Sequence, residues 1–358
     1  MHLHKIKLVQ YRVYESASFE FSPGINLIAG PNAIGKTSLL EAIYLLIGAR
    51  SFRTHRHAEM IAFGTSGFMV EGAFEKEGIA QSLRLFSNGK EKGAIYNSTK
   101  FVNWAPIVGL MNGAVLTPDD AMLIKGPPQQ RRQYLDALIS QSDPVYIHYL
   151  ERYARALNQR NALLRQMKTK TIETWEMDMA HSAACLITKR SKVIHSLNLL
   201  LKQIHYELSG EKEKISLHYK NGIYSPEEHS EDIIKQKCLQ ALQECRTREL
   251  EVGYTLTGPH KDDIDINING KDVRSFASEG QQRTSVGSLK LAEWHFLKEA
   301  VGELPLMLID DLGVSLDDGR QMRFLKMLEG LGQVFLTSTE EVEGVSYHKL
   351  KINTPLGS

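Results

Sequence analysis

The run Gly30-Pro31-Asn32-Ala33-Ile34-Gly35-Lys36-Thr37 constrains this chain more than any other feature, because it fits G-x-x-x-x-G-K-[ST] and stands between a predicted strand and a predicted helix. The strand is the apolar stretch Ile25 to Ala29, bounded by Pro23-Gly24 on one side and Gly30 on the other. Leu39, Ile43, Leu46 and Ile47 then recur at helical spacing, and Gly48 is placed to stop that helix. In this context Gly30 and Gly35 let the backbone turn its N–H groups around a β-phosphate, and the helix beginning near Lys36 adds the positive end of its dipole. Lys36 is expected to neutralise the β- and γ-phosphates and the Thr37 hydroxyl to bind Mg²⁺. The predicted binding set is Gly30, Pro31, Asn32, Ala33, Ile34, Gly35, Lys36, Thr37 and Ser38, with ATP and Mg²⁺ as cofactors.

A phosphate loop of this kind needs a second acidic group for its metal. The apolar run Leu304-Pro305-Leu306-Met307-Leu308-Ile309 delivers one in Asp310-Asp311. Asp310 is expected to hold the metal with Thr37, and Asp311 to orient or deprotonate the attacking water. Upstream, Ser278-Glu279-Gly280-Gln281-Gln282-Arg283 opens a helix whose apolar face carries Val286, Leu289, Phe296 and Ala300. It is similar to the S-x-G-Q signature of ABC and SMC ATPases. In such proteins the signature meets the γ-phosphate of ATP bound to a second subunit, so an ATP-dependent homodimer is expected. Ser278, Gly280 and Gln281 then join the nucleotide set, and Lys36, Asp310, Asp311 and Ser278 form the catalytic one. Ser278 followed three residues later by Gln281 is also a capping box, and the sequence leaves both roles open.

Most of the chain lies between the phosphate loop and the acidic pair, so something large is inserted between the two halves of the site. From about residue 50 to 117 short strands and turns prevail. Between about 128 and 248, Tyr146, Tyr149, Leu150, Tyr153 and Leu157, and later Ile187, Ile194, Leu197, Leu201 and Ile204, fall at helical spacings. These runs are too short for a long coiled coil. From Gly253 strands resume at Ile264 to Ile268, turn at Asn269-Gly270, and continue through Val273 to Phe276, Leu304 to Ile309 and Gln333 to Leu336. The predicted fold is α/β, an ABC/SMC-type P-loop ATPase head with an inserted, mostly helical second lobe. Its expected parts are residues 1–125 and 251–358 for the head and 126–250 for the insertion.

Three further stretches resemble the RecF family. Pro118-Asp119 with Gly126-Pro127-Pro128 and Arg131-Arg132-Gln133-Tyr134-Leu135-Asp136 is similar to its P-[DE]…G-x-P-x-x-R-R-x-[FY]-L-D stretch. Tyr153, Leu157 and Gln159-Arg160-Asn161 resemble its Y…L-x-Q-R-N helix, and Gly258-Pro259-His260-Lys261-Asp262-Asp263 its G-P-H-[RK]-D-D turn. The resemblance runs end to end. It implies a slow, DNA-stimulated ATPase of recombinational repair and replication. Such a protein binds double-stranded DNA at gap junctions and acts with RecO and RecR to load RecA. A scaffold that binds ATP with little turnover is the alternative. Ala33 stands where the family usually has Gly, and Val314-Ser315-Leu316-Asp317 where it has S-E-L-D. No glutamine marks a Q-loop, for which Thr117, Asp119 and Asp120 are the nearest candidates, and Thr337-Ser338-Thr339 stands where transporters carry a switch histidine.

Charge is balanced, with 43 Lys plus Arg against 42 Asp plus Glu, so DNA affinity calls for a local patch. Arg50, Arg53, His55, Arg56 and His57 form the densest basic cluster, as apt for a DNA contact as for a solvated loop. Arg131 and Arg132 are read as structural partners of acidic groups. Cys185, Cys238 and Cys245 support neither a disulfide framework nor a zinc ribbon. The N-terminus lacks a signal-peptide h-region, and no stretch approaches the roughly 20 apolar residues of a membrane span, so a cytoplasmic protein without membrane partners is expected.

Overall fold

The computed structural model describes residues 1–223, 230–311 and 318–352. The chain forms two compact units, one from Met1–Ala121, Leu200–Lys214 and Ala277–Ser358, the other from Met122–Leu199 and Ile215–Phe276.

Two sheets build the first unit. One is parallel, in the order Tyr347–Leu350, Gly24–Ala29, Gln333–Ser338, Leu306–Ile309 and Gly113–Leu116. Its inner strands are apolar almost throughout, as strands covered on both faces are. The other sheet is antiparallel, in the order Tyr14–Glu20, His2–Tyr11, Phe68–Lys76, Ile79–Ser87, Lys92–Tyr96 and Thr99–Phe101. Between them lies the helix Lys36–Gly48, which touches strands of both sheets and buries every residue from Ser38 to Ile47. That explains why its sequence, Glu41 apart, is apolar on nearly every face rather than striped. Each fully buried Leu or Ile in it contributes about 1.5–3 kcal/mol.

Register then places the functional ends of the parallel strands. Leu336 pairs with Leu27 on one side and Ile309 on the other, so three strands end at one level. In open α/β sheets the carboxyl ends of strands are where ligands bind. Helix Glu279–Val301 packs on strand Gly113–Leu116 and is anchored by Trp294, whose Nε1 donates to the Pro305 carbonyl at 2.8 Å.

Helices Pro128–Ser142, Pro144–Arg165, Glu231–Val252 and the first part of Ile172–Leu208 make up most of the second unit. It also holds a three-stranded antiparallel sheet, Lys271–Asp272, Asp263–Ile268 and Ile215–Lys220. The sequence reading differs from this arrangement in three places. Ile215–Lys220 is a strand within the stretch expected to be helical, and Val273–Phe276 is a short helix rather than a strand. The compact units also place 200–214 with the head and 251–276 with the second unit, against the expected limits of 126 and 250. The physical reason is nonlocal pairing: Ile215 and Leu217 bury against Ile268 and Ile266 across the sheet, which no local pattern announces. The Asn269-Gly270 hairpin turn forms as expected, both residues taking positive φ.

Apart from Pro118-Asp119, which belongs to the first unit, the three family-like stretches converge within this unit. Arg131 forks onto the Asp263 carboxylate at 2.6 and 2.9 Å, the acidic partner expected of it, whereas Arg132 donates to the backbone carbonyl of Asp262 at 2.8 Å. Tyr153 Oη and His260 Nδ1 lie 2.6 Å apart, and the backbone at Gly258 passes so close to Tyr153 that an added Cβ would lie 2.4 Å from the Oη. Arg160, fully buried, bonds to Glu176 at 2.9 Å, Glu249 at 2.7 Å and the Thr255 hydroxyl at 2.9 Å. No helix among the described residues is long and apolar enough to cross a membrane.

Removing Arg160 leaves the buried Glu249 carboxylate without its cation and Glu176 with Arg246 alone. Arg160→Ala is therefore expected to destabilise the second unit by about 3–5 kcal/mol. Urea unfolding followed by the fluorescence of Trp175, which lies in that unit, measures this.

Candidate nucleotide-binding site

A cleft of about 560 Å³ opens at the carboxyl ends of the parallel strands. Asn32, Ala33, Gly35, Lys36, Thr37 and Ser38 line it from the phosphate loop, Asp310 and Asp311 from the end of the acidic strand, and Thr337, Ser338 and Thr339 from the strand between. The loop is shaped by backbone that only some residues tolerate. Gly35 has φ 106°, and a Cβ there would lie 2.6 Å from Tyr14 Oη, which donates to the Gly35 carbonyl at 3.1 Å. Ala33 takes φ 70°, a left-handed conformation disfavoured for any residue with a Cβ.

Lys36 crosses its own loop, donating from Nζ to the carbonyls of Gly30 at 2.6 Å and Pro31 at 2.8 Å. Burial pulls its pKa down, while Asp311 and Asp310 pull it up. Two hydroxyls converge on a single carboxylate oxygen: Thr37 Oγ1 donates to Asp310 Oδ1 at 2.9 Å and Thr337 Oγ1 at 2.8 Å. The Thr337 hydroxyl also accepts from the Asp311 backbone N–H at 2.9 Å, so one side chain ties both acidic residues to the sheet. Burial pushes the Asp310 carboxyl above its usual range against the pull of those hydroxyls, and neighbouring Asp311 pushes the same way. A poorly solvated carboxylate beside a threonine hydroxyl is a hard-oxygen pair of the kind that takes a small divalent cation.

Sequence reasoning missed Arg12 and Glu41. Glu41 is fully buried in the middle of the apolar helix, accepts from Arg12 at 2.8 and 2.5 Å and from Ser51, and lies 3.6 Å from the Arg53 guanidinium as an ion pair. Arg12 and Arg53 both line the cleft, with Val13, Ile61 and a fully exposed Phe63 at its apolar edge. The signal was present: a lone carboxylate in an otherwise apolar helix demands a buried cation. The basic cluster is accordingly split. Arg53 turns into the cleft, Arg50 donates to Tyr44 Oη, Arg56 lies 3.7 Å from Glu59, and His57 packs edge-on against Trp104.

The signature residues stand apart from this cleft. Ser278, Gly280 and Gln281 are not among the residues lining it. Ser278 forms the capping box, accepting from the Gln281 backbone N–H at 3.3 Å while its own N–H donates to Gln281 Oε1 at 2.9 Å. Of the Q-loop candidates, Asp120 accepts from the Thr117 N–H and hydroxyl and pairs with buried Lys290 at 3.1 Å. Val314-Ser315-Leu316-Asp317 lies outside the described residues.

Replacing Ala33 with Gly removes the left-handed strain, partly offset by a more flexible unfolded chain. Ala33→Gly is expected to stabilise the first unit by roughly 0.5–1 kcal/mol, read from its denaturation midpoint.

Comparison with known proteins agrees with this architecture. Residues 2–350 match the family described as RecF/RecN/SMC N terminal domain. The chain is 46% identical over 344 residues to the DNA replication and repair protein RecF of Protochlamydia amoebophila, covering 95% of this chain and 94% of that one. The solved recombination mediator protein RecF-ATP in the RecFOR pathway superposes with a TM-score of 0.89 at 34% identity, over 96% of this chain and 93% of that one. An SMC head bound to the C-winged helix domain of ScpA shares the fold alone, with a TM-score of 0.56 at 15% identity over 95% of this chain and 91% of its own. A phosphate loop and an acidic strand end held in register by one threonine are thus set in a chain matched almost from end to end, and the chain belongs to the RecF family.

Proposed function

We propose that this protein binds ATP in the cleft above, dimerises around it, and hydrolyses it slowly while holding double-stranded DNA at gap junctions. In this role it acts with RecO and RecR to load RecA in recombinational repair and replication. The observation that carries the reading is the convergence of Thr37, at the start of helix Lys36–Gly48, and Thr337 on Asp310 at the carboxyl ends of adjacent strands, while the signature turn stays off the same cleft. A γ-phosphate in the cleft then meets a signature only if a second copy supplies it. RecF relatives, including one solved with ATP, support the same reading.

The chemistry is positioning and charge neutralisation. Lys36 exchanges the Gly30 and Pro31 carbonyls for the β- and γ-phosphates, and the first N–H groups of helix Lys36–Gly48 face the same anion. Thr37 and Asp310 would hold Mg²⁺, which when bound neutralises phosphate charge. Asp311, its backbone fixed by Thr337, orients the attacking water and takes its proton. Ser278 and the Gly280 N–H of the partner copy cap the γ-phosphate at the end of a helix dipole, and the capping box is compatible with this because it orders that same turn. Arg12 and Arg53, held by Glu41, add positive charge to the cleft wall.

ATP turnover with and without duplex DNA tests the proposal. Asp311→Asn is expected to lower turnover by about 10²–10⁴-fold. Ser278→Arg is expected to abolish it while each chain still binds nucleotide. Wild-type turnover no higher than that of Asp311→Asn, whatever DNA is added, would instead favour the ATP-binding scaffold.

A further inference from the structure

Beneath the signature turn lies a buried charged cluster that the nucleotide chemistry does not use. Glu213, only 9% exposed, accepts from the Gln281 side chain (Nε2) and from Arg320 (Nη2), each at 3.2 Å, and its other oxygen lies 3.2 Å from His205 Nε2. Arg320 in turn donates to the Gly280 carbonyl at 3.1 Å and to the Thr284 hydroxyl. His205 Nδ1 lies 2.9 Å from the Ser288 hydroxyl, further along the same helix.

The Gln281 amide makes this more than packing. Its oxygen accepts from the Ser278 backbone N–H at 2.9 Å and its nitrogen donates to Glu213, so one planar group connects the cap to the buried carboxylate. Turning the amide to satisfy one end breaks the other. Arg320 meanwhile grips the Gly280 carbonyl, two residues from the cap, and so fixes the peptide plane on the other side of the turn. Apolar packing could hold the helix as firmly without the cost of desolvating two charges; a charged brace adds a fixed direction for the first turn.

We infer that Glu213 is a positioning residue which, through the Gln281 amide and the Arg320 grip on the Gly280 carbonyl, aims the Ser278–Gly280 turn at the phosphate bound by a second copy. The inference rests on the dimer reading above. Glu213 and Arg320 touch no nucleotide in it. They govern how well the turn presents its hydroxyl and N–H groups to one.

The test separates dimerisation from nucleotide binding. Sedimentation with a non-hydrolysable ATP analogue gives the dimer dissociation constant, and a fluorescent ATP analogue titrated against dilute protein gives the affinity of the single chain. Glu213→Gln and Arg320→Ala are expected to weaken dimerisation roughly tenfold while nucleotide affinity stays within about twofold. Arg320→Lys, which keeps a donor for the Gly280 carbonyl, retains most of the wild-type value. The Arg320 pair carries the test alone should Glu213→Gln not fold. Variants that dimerise as tightly as wild type, or that lose nucleotide affinity and dimerisation together, overturn the positioning role. A wild-type chain that never dimerises overturns the reading beneath it instead.

Discussion

Two threonine hydroxyls donating to one oxygen of Asp310 hold the nucleotide cleft together. Thr37 opens the helix that follows the phosphate loop and Thr337 lies on the strand next to the acidic strand, so a single carboxylate ties the acidic strand to its neighbour and to the start of that helix. A one-residue slip between the two strands would turn the Thr337 hydroxyl away from the buried carboxylate, a cost that helps specify their register. The two sheets and the apolar helix between them are the packing that keeps those strand ends at one level.

The same economy of contacts recurs wherever the chain must hold charge in its interior. Glu41 gathers Arg12, Ser51 and Arg53 at the cleft wall, Arg160 gathers Glu176 and Glu249 in the second unit, and Glu213 gathers Gln281 and Arg320 under the signature. Each is a buried ion with at least one partner from a distant part of the sequence, Arg12 for Glu41, Glu249 for Arg160 and Gln281 and Arg320 for Glu213. Such clusters contribute little net stability over apolar packing, but they penalise every arrangement that leaves one member unpaired.

What the sequence made legible follows from how local each signal is. The phosphate loop was readable because its glycines, lysine and threonine are consecutive and lie between an apolar strand and an apolar helix. The acidic strand was readable because a fully apolar run ending in two aspartates has few other meanings. The helical middle announced itself by period. The strand Ile215–Lys220 did not: it is six residues long, and its partner Asp263–Ile268 lies beyond another helix. The basic stretch from Arg50 to His57 read as one patch, whereas buried Glu41, on the preceding helix, draws Arg53 away from its neighbours. For Ser278 the sequence offered two roles. The capping box is formed, and the phosphate role depends on a second copy.

That second copy is the point on which the functional account turns. Light scattering of the purified protein without nucleotide, with ADP and with a non-hydrolysable ATP analogue measures it directly. The account predicts the mass of one chain in the first two conditions and of two chains in the third. A single-chain mass in all three would contradict it.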